Sequence, residues 1–272
     1  MTLLANILCI GGANVDRKLR LLQAAHPGSS NPALMSECPG GVARNVAANL
    51  AALGLPVQLL TAVGDDATGR LLLAGLQDGG SIHIEGVASD SYTAVLDPQG
   101  QLVIGLAAMP LVEHLTPDRL PNALAALTVF DLNLPAVSIA ALLSRAGTNR
   151  LVAVAVSDPK MARLPQDLRG LHALVLNEGE LAQTPGLADL HARGVARIAV
   201  TQGERGVLLS EAGSAPQQLP AAAITVAEVT GAGDAFAAGV CAGLWQDEDW
   251  PTACQRGLTL ASAVLQSTSS TL

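Results

Sequence analysis

Short apolar runs of strand length recur along this chain, and between them lie stretches whose apolar residues fall at helical spacing. The runs are Ile7 to Ile10, Val57 to Val63, Leu151 to Val156, Ala173 to Leu176 and Ile198 to Thr201. The helical stretches are Val42 to Leu53, Thr68 to Gly79, Pro117 to Ala126, Ser138 to Gly147 and Leu187 to Arg193, with a further one at Thr252 to Leu265. Strands that bury both faces need a helix layer on each side, so this alternation predicts a parallel sheet covered on both faces. Gly54, Gly147 and Gly194 follow the helical stretches where C-terminal caps belong.

Two segments break the alternation, roughly Val15 to Pro39 and Ile82 to Met109, the second with the turn signal Asp97-Pro98-Gln99-Gly100. They predict a small β appendage on one domain that spans residues 1–272, with lid segments at about 15–39 and 82–109. A chain of 272 residues that is 50% hydrophobic and 14% charged buries a sizeable core. Its net charge of −8 argues against a nucleic-acid or anionic-membrane partner, while leaving room for a local basic pocket. Cys9, Cys38, Cys241 and Cys254 form no C-x-x-C pair, which points to free thiols in a reducing compartment and away from structural zinc. The apolar start lacks a basic leader region and no run reaches membrane-spanning length, so the cytoplasm is the expected location.

The segment Glu228-Val229-Thr230-Gly231-Ala232-Gly233-Asp234-Ala235-Phe236 runs small residues into a carboxylate and on into a helical pattern. Gly231, Ala232 and Gly233 can converge their N–H groups on an anion at a helix N-terminus, where the dipole also favours negative charge. Asp234 beside that anion suits proton acceptance from an attacking hydroxyl. A plain Gly-rich loop with Asp234 as N-cap fits the same residues. Near the amino end, Asn14 and Asp16 follow the first strand, and Gly40-Gly41 opens the helix that carries Asn45. Both places are where open α/β sheets bind ligands, and these groups suit a polyhydroxyl compound; turn stabilisation explains them equally well. Gly64 to Gly69 has the outer glycine spacing of a P-loop, but Arg70-Leu71 replaces the Lys-Ser/Thr pair, and Phe236 spoils a dinucleotide fingerprint.

Taken in order, these motifs resemble those of the ribokinase-like carbohydrate and nucleoside kinases, the PfkB family, from the first strand to about Gly239. The resemblance implies a ribokinase-like three-layer α/β sandwich with a mainly parallel central sheet and a small β lid. It implies substrate-hydroxyl contacts from Asn14, Asp16, Gly40, Gly41 and Asn45, an anion hole at Gly231, Ala232 and Gly233, and a base at Asp234. Asn177-Glu178-Gly179-Glu180 matches the family's N-x-x-E, through which Asn177 and Glu180 would organise Mg²⁺ by way of water. Thr201 to Gly206 matches its T-x-G-x-x-G, so Thr201, Gly203 and Gly206, with Thr230, would border the phosphates of ATP; as bare sequence it is also a plausible hairpin turn.

Ser30-Asn31-Pro32, Gly40 to Asn45 as G-G-V-A-R-N, and Val156-Ser157-Asp158-Pro159-Lys160 are most similar to the pseudouridine-kinase subgroup, which implies a base or ribose contact for Lys160. An exposed Lys at a helix start fits that residue too. Val154-Ala155 and Ala108 depart from the family pattern, and Glu228 replaces the Asp that helps arrange a K⁺ site. The chain ends at Leu272, where relatives continue with a segment that closes the adenine pocket, and this implies a weaker grip on the nucleotide. The expected activity is Mg²⁺-dependent transfer from ATP to a primary hydroxyl, most of all the 5′-hydroxyl of pseudouridine. A sugar or sugar-phosphate kinase and a non-catalytic nucleoside or sugar sensor are the alternatives. Lids of this kind pair across homodimers in relatives, and Val95, Leu102 and Ile104 are candidates for such a face.

Overall fold

The computed structural model describes residues 7–224, 230–267 and 271–272. Within these residues the strands are β1 (Ile7–Ile10), β2 (Asn14–Leu21), β3 (Ala33–Gly40), β4 (Val57–Leu60), β5 (Ala62–Gly64), β6 (Gln77–Asp78), β7 (Ile82–Ile84), β8 (Ser91–Leu96), β9 (Leu102–Ala108), β10 (Leu127–Asp131), β11 (Arg150–Val154), β12 (Leu171–Asn177), β13 (Arg197–Thr201), β14 (Val207–Glu211) and β15 (Gln217–Leu219). The α-helices are α1 (Val42–Ala52), α2 (Ala67–Leu73), α3 (Ala136–Ser144), α4 (Glu178–Leu181), α5 (Leu187–Ala192), α6 (Ala232–Trp245) and α7 (Trp250–Leu265).

Nine strands form one sheet in the order β15-β14-β13-β12-β11-β10-β1-β4-β6. It is parallel from β6 to β13, and only β14 and β15 join antiparallel, as the expected mainly parallel sheet requires. Every residue of β1 is buried, because its alternate side chains enter different cores. Ile7 and Cys9 pack with α1, α6 and α7, whereas Leu8 and Ile10 pack with α3 and α5. The three layers follow from that division.

Three expectations shorten or split. The run Val57 to Val63 breaks at buried Thr61, whose hydroxyl donates to the Gly11 carbonyl (2.6 Å); beyond it β5 leaves the sheet and pairs with β7. Thr68 to Gly79 is helical only to Leu73. Pro117 to Ala126 forms a single 3₁₀ turn, Pro117–Arg119, because Pro121 lacks an N–H and holds Leu120 extended (φ −86°, ψ 147°). One strand of the central sheet, β10, comes from a stretch where a buried Thr and a terminal Asp mask the apolar run; the Thr128 hydroxyl donates to the Ala125 carbonyl.

A second sheet, ordered β3-β2-β8-β9, stands over the carboxyl ends of the parallel strands at its β2 and β3 roots. Its strands fall within residues 14–40 and 91–108, while Ile82–Ile84 lies outside it. Among the described residues no helix is long and apolar enough to cross a membrane.

Candidate active site

The residues singled out by sequence gather along one edge. Asn14 follows β1, Lys160 follows β11, Asn177 ends β12 and Thr201 ends β13, all at carboxyl ends of parallel strands, where ligands enter open α/β sheets. Two helix N-termini, those of α1 and α6, meet the same edge, and the two helices pack together.

On the amino-terminal side, the Asn14 amide donates to the Asp16 carboxylate (2.7 Å). Strand alternation places Asn14, Asp16 and Lys18 on one face of β2. Gly40 faces that carboxylate so closely that a Cβ there would stand 2.1 Å from Asp16 Oδ2. Gly41 holds φ 98° and lies against the Gly12 carbonyl, where an added Cβ would come within 2.5 Å, so the approach of α1 to β1 needs glycine. Burial raises the Asp16 carboxyl, against the lowering pull of Asn14, Lys18 and Arg44.

The fully buried carboxylate of Asp131 joins these pieces. It accepts the N–H groups of Gly12, Ala43 and Asn133, each at 2.9 Å, and so pins the end of β1 and the start of α1 to β10. Burial pushes its carboxyl up despite those donors. The Asn133 side chain accepts from Lys160, and the Arg163 guanidinium binds the Asn133 carbonyl and Glu113. Lys160 is half-buried, and burial lowers its ammonium pKa, so the reading of a free surface Lys does not hold. Asp131 and Asn133 escape motif inspection. Their signal is Leu127-Thr128-Val129-Phe130-Asp131, an apolar run closing on a carboxylate, followed by Asn133.

On the carboxy-terminal side, Gly231 caps α6 in the left-handed conformation (φ 84°) with no side-chain cap bond. Asp234 is the third residue of the helix and not its N-cap. Its carboxylate instead accepts the Asn45 amide across 2.8 Å. The first-turn N–H groups have no carbonyl partner inside the helix, and they open on the crevice together with the positive end of the dipole. Burial lifts the Asp234 carboxyl to about 7; Asn45 lowers it, and the charges of Asp131 and Asp16 raise it further. Thr230 accepts from Lys18 (3.2 Å), which ties β2 to this loop. Glu228 and Val229, with the K⁺ expectation attached to Glu228, lie outside the described residues.

Asn177 and Glu180 form a reciprocal capping box. The Glu180 N–H donates to Asn177 Oδ1 (2.9 Å), and the Asn177 N–H donates to Glu180 Oε2 (2.7 Å). Much of the N-x-x-E pattern is therefore accounted for by the start of α4. The carboxyl of Glu180 is raised by burial and by the nearby Asp158 charge, so a cation between the two acids would be favoured. Among the described residues no three His, Cys, Asp or Glu cluster as direct metal ligands. This set fits an ion carried by phosphates and reached through water, as Mg²⁺ commonly is. Asn177 and Thr201 pair in register, and residues 202–206 form the β13–β14 turn, with the Gln202 N–H donating to the Gly206 carbonyl (2.8 Å). Neither group makes a direct bond to Asp234.

A family profile described as pfkB family carbohydrate kinase matches residues 4–272. The pseudouridine kinase of Escherichia coli K12 is 29% identical over 263 residues, covering 89% of this chain and 84% of that protein. A fructokinase of Klebsiella pneumoniae is 31% identical over 242 residues, covering 76% and 77%. Among solved structures, a carbohydrate kinase from Agrobacterium tumefaciens superposes with a TM-score of 0.84 at 32% identity, covering 97% of this chain and 92% of that one.

Proposed function

The chain belongs to the pfkB family of carbohydrate kinases, phosphotransferases that act on hydroxyl groups of sugars and nucleosides, and we propose that it moves the γ-phosphoryl group of ATP to a primary hydroxyl of a nucleoside, pseudouridine first among them. The observation that carries this reading is the 2.8 Å bond between Asn45 and Asp234, which links the hydroxyl-binding motif to the base at the head of α6. Asp16 and Asn14 accept and donate to vicinal hydroxyls and hold the acceptor. Asp234 takes the proton from the primary hydroxyl as the oxygen–phosphorus bond forms. The bond to the bridging oxygen of ATP then breaks, and ADP departs.

The N–H groups of Ala232, Gly233 and Asp234, with Gly231 setting the turn, face the charge that builds on the transferring group, which is the main catalytic demand of phosphoryl transfer. When Mg²⁺ is bound with the nucleotide it neutralises phosphate charge; Asn177 fixes Glu180, whose other oxygen and Asp158 suit its water shell. Thr201, Gly203, Gly206 and Thr230 line the nucleotide side. Lys160, held by Asn133 at the carboxyl end of β10, is the candidate contact to the acceptor's ribose.

The lid's apolar residues suit a second copy of the chain. Leu102, Ile104 and Leu106 of β9 alternate onto one face of the lid and are each at least half exposed, and covering them would remove apolar surface from water. Light scattering reads this directly, and a strict monomer removes it. The four cysteines are free, in keeping with a cytoplasmic enzyme.

Fructokinase similarity favours a sugar acceptor as the second reading. ADP formation with ATP and Mg²⁺, with and without K⁺, against pseudouridine, uridine, adenosine, ribose, fructose and fructose 6-phosphate separates the two, with product mass recorded. A product from pseudouridine supports the first reading, and one from a sugar alone replaces it. Binding without any product makes the protein a sensor.

A further inference from the structure

Resting on the kinase reading, we propose that Arg44 is a phosphate-binding residue of this site, a guanidinium held in the crevice to grip the phosphoryl group on the acceptor side. Arg44 is the third residue of α1, in a first turn that carries no acid, so its charge opposes the helix dipole. It is partly buried, and burial lowers its guanidinium pKa, with Cys38 and Asp16 as the nearby groups that favour its charge. Its Nε is buried and has no hydrogen-bond partner among the described residues. Its side-chain bond, from Nη1 to Asn45 Oδ1, is long at 3.3 Å.

Each of these features is unfavourable for a cation in the folded chain. A cation in the first turn, a desolvated guanidinium and an orphan buried N–H all occur on a side chain bonded to Asn45, the residue that donates to Asp234. One partner relieves all three: an anion with several acceptor oxygens, which a guanidinium fork grips in two parallel bonds. A phosphate monoester has that shape and charge. Asp16 favours the Arg44 charge from nearby, but the side-chain bond its Oδ1 accepts comes from Asn14, and no ion pair joins it to the guanidinium among the described residues. The phosphate has two sources, the group in transit from ATP or an ester already on the acceptor, and both present the same oxygens to Arg44.

The test compares wild type, Arg44→Gln and Arg44→Lys. Line broadening of inorganic phosphate in ³¹P spectra needs no acceptor; the proposal expects broadening in the wild type that is lost in Arg44→Gln. Equal broadening in both, or none in the wild type, overturns it, whatever the acceptor proves to be. With an unphosphorylated acceptor found in the kinase assay, and the group in transit as the source, Arg44→Gln lowers kcat at least tenfold and changes the acceptor KM less than twofold, and Arg44→Lys recovers part of the rate. A role only through Asn45 would instead move the acid limb of the pH profile with phosphate broadening kept, and that result also overturns it. If Arg44→Gln raises KM only for phosphorylated acceptors, the ester is the source; if kcat falls for unphosphorylated ones, it is the group in transit. Failure of every acceptor with broadening intact refutes the kinase substrate assignment alone.

Discussion

The Asn45 side-chain amide donates to the Asp234 carboxylate across 2.8 Å, from the first turn of α1 to the first turn of α6. Residues 189 positions apart thereby share one bond at the meeting point of two helix N-termini. Asp234 is the group that must gain a proton in the proposed transfer. Replacing it by Asn removes the acceptor but keeps the shape. We expect Asp234→Asn to lower kcat by about 10² to 10⁴, with an unchanged circular dichroism spectrum. Near-normal turnover would reject the assignment.

The same carboxyl sets a stability difference whose sign follows from its pKa. Its folded value, about 7, lies above the ordinary 3.8, so its favourable contribution is complete at low pH and is lost as pH rises through 7. Ionised Asp234 therefore destabilises the fold at alkaline pH. Asp234→Asn should melt several degrees higher than the wild type at pH 8, with a smaller difference at pH 5, a contrast that calorimetry at the two pH values measures.

A base must be ionised to work, so kcat/KM should rise about tenfold per unit below pH 7 and level off above it. Two substitutions should move that limb in opposite directions. Asn45→Ala removes the bond that lowers the Asp234 pKa and shifts the limb to higher pH. Asp131→Asn removes a charge that raises it and shifts the limb to lower pH. Asp131→Asn also turns an N–H donor toward the donors from Gly12, Ala43 and Asn133, at a cost of about 1–3 kcal/mol. Chemical denaturation together with the pH–rate profile resolves both effects.

Much of this site is legible in the sequence alone. Asn14, Asp16, Gly41, Asn45 and Asp234 lie in compact motifs, because each group attaches to the end of one strand or the start of one helix. What the sequence does not show depends on long-range pairing. Asp131 acts through backbone N–H groups as far as 119 positions away, which no local pattern encodes. In the sequence Arg44 is one of several basic residues near the amino end, with Arg17, Lys18 and Arg20, that could meet a second phosphate, and the burial of its Nε is what singles it out. The expected helix over Pro117 to Ala126 fails on a local fact, Pro121, which periodicity alone ignores. The N-x-x-E motif carries two meanings in one pattern, since the geometry that caps α4 also fixes Glu180. The lid is legible as a break in the helix–strand alternation with the turn signal Asp97-Pro98-Gln99-Gly100 between strand-like segments, whereas β9, exposed along its whole length, shows no buried stripe.

The position of Asp234 depends on how α6 is seated, and that seat is made of glycine. A Cβ on Gly239 would stand 2.7 Å from Gly257 Cα and 2.8 Å from the Arg256 carbonyl; one on Gly257 would stand 2.8 Å from the Phe236 carbonyl. The obstacles are mostly backbone, so no rotamer change relieves them. Helix propensity alone makes Gly239→Ala stabilising by about 1 kcal/mol. Overpacking acts with the opposite sign and is worth about 1–3 kcal/mol. The larger effect should win, so Gly239→Ala lowers the melting temperature and lets α6 move away from α7. Since α6 also packs on α1, that movement disturbs the Asn45–Asp234 bond, and the acid limb of the pH profile shifts with it. A Gly239→Ala protein that melts at or above the wild-type temperature would show that propensity governs this contact and that the two helices have room to spare.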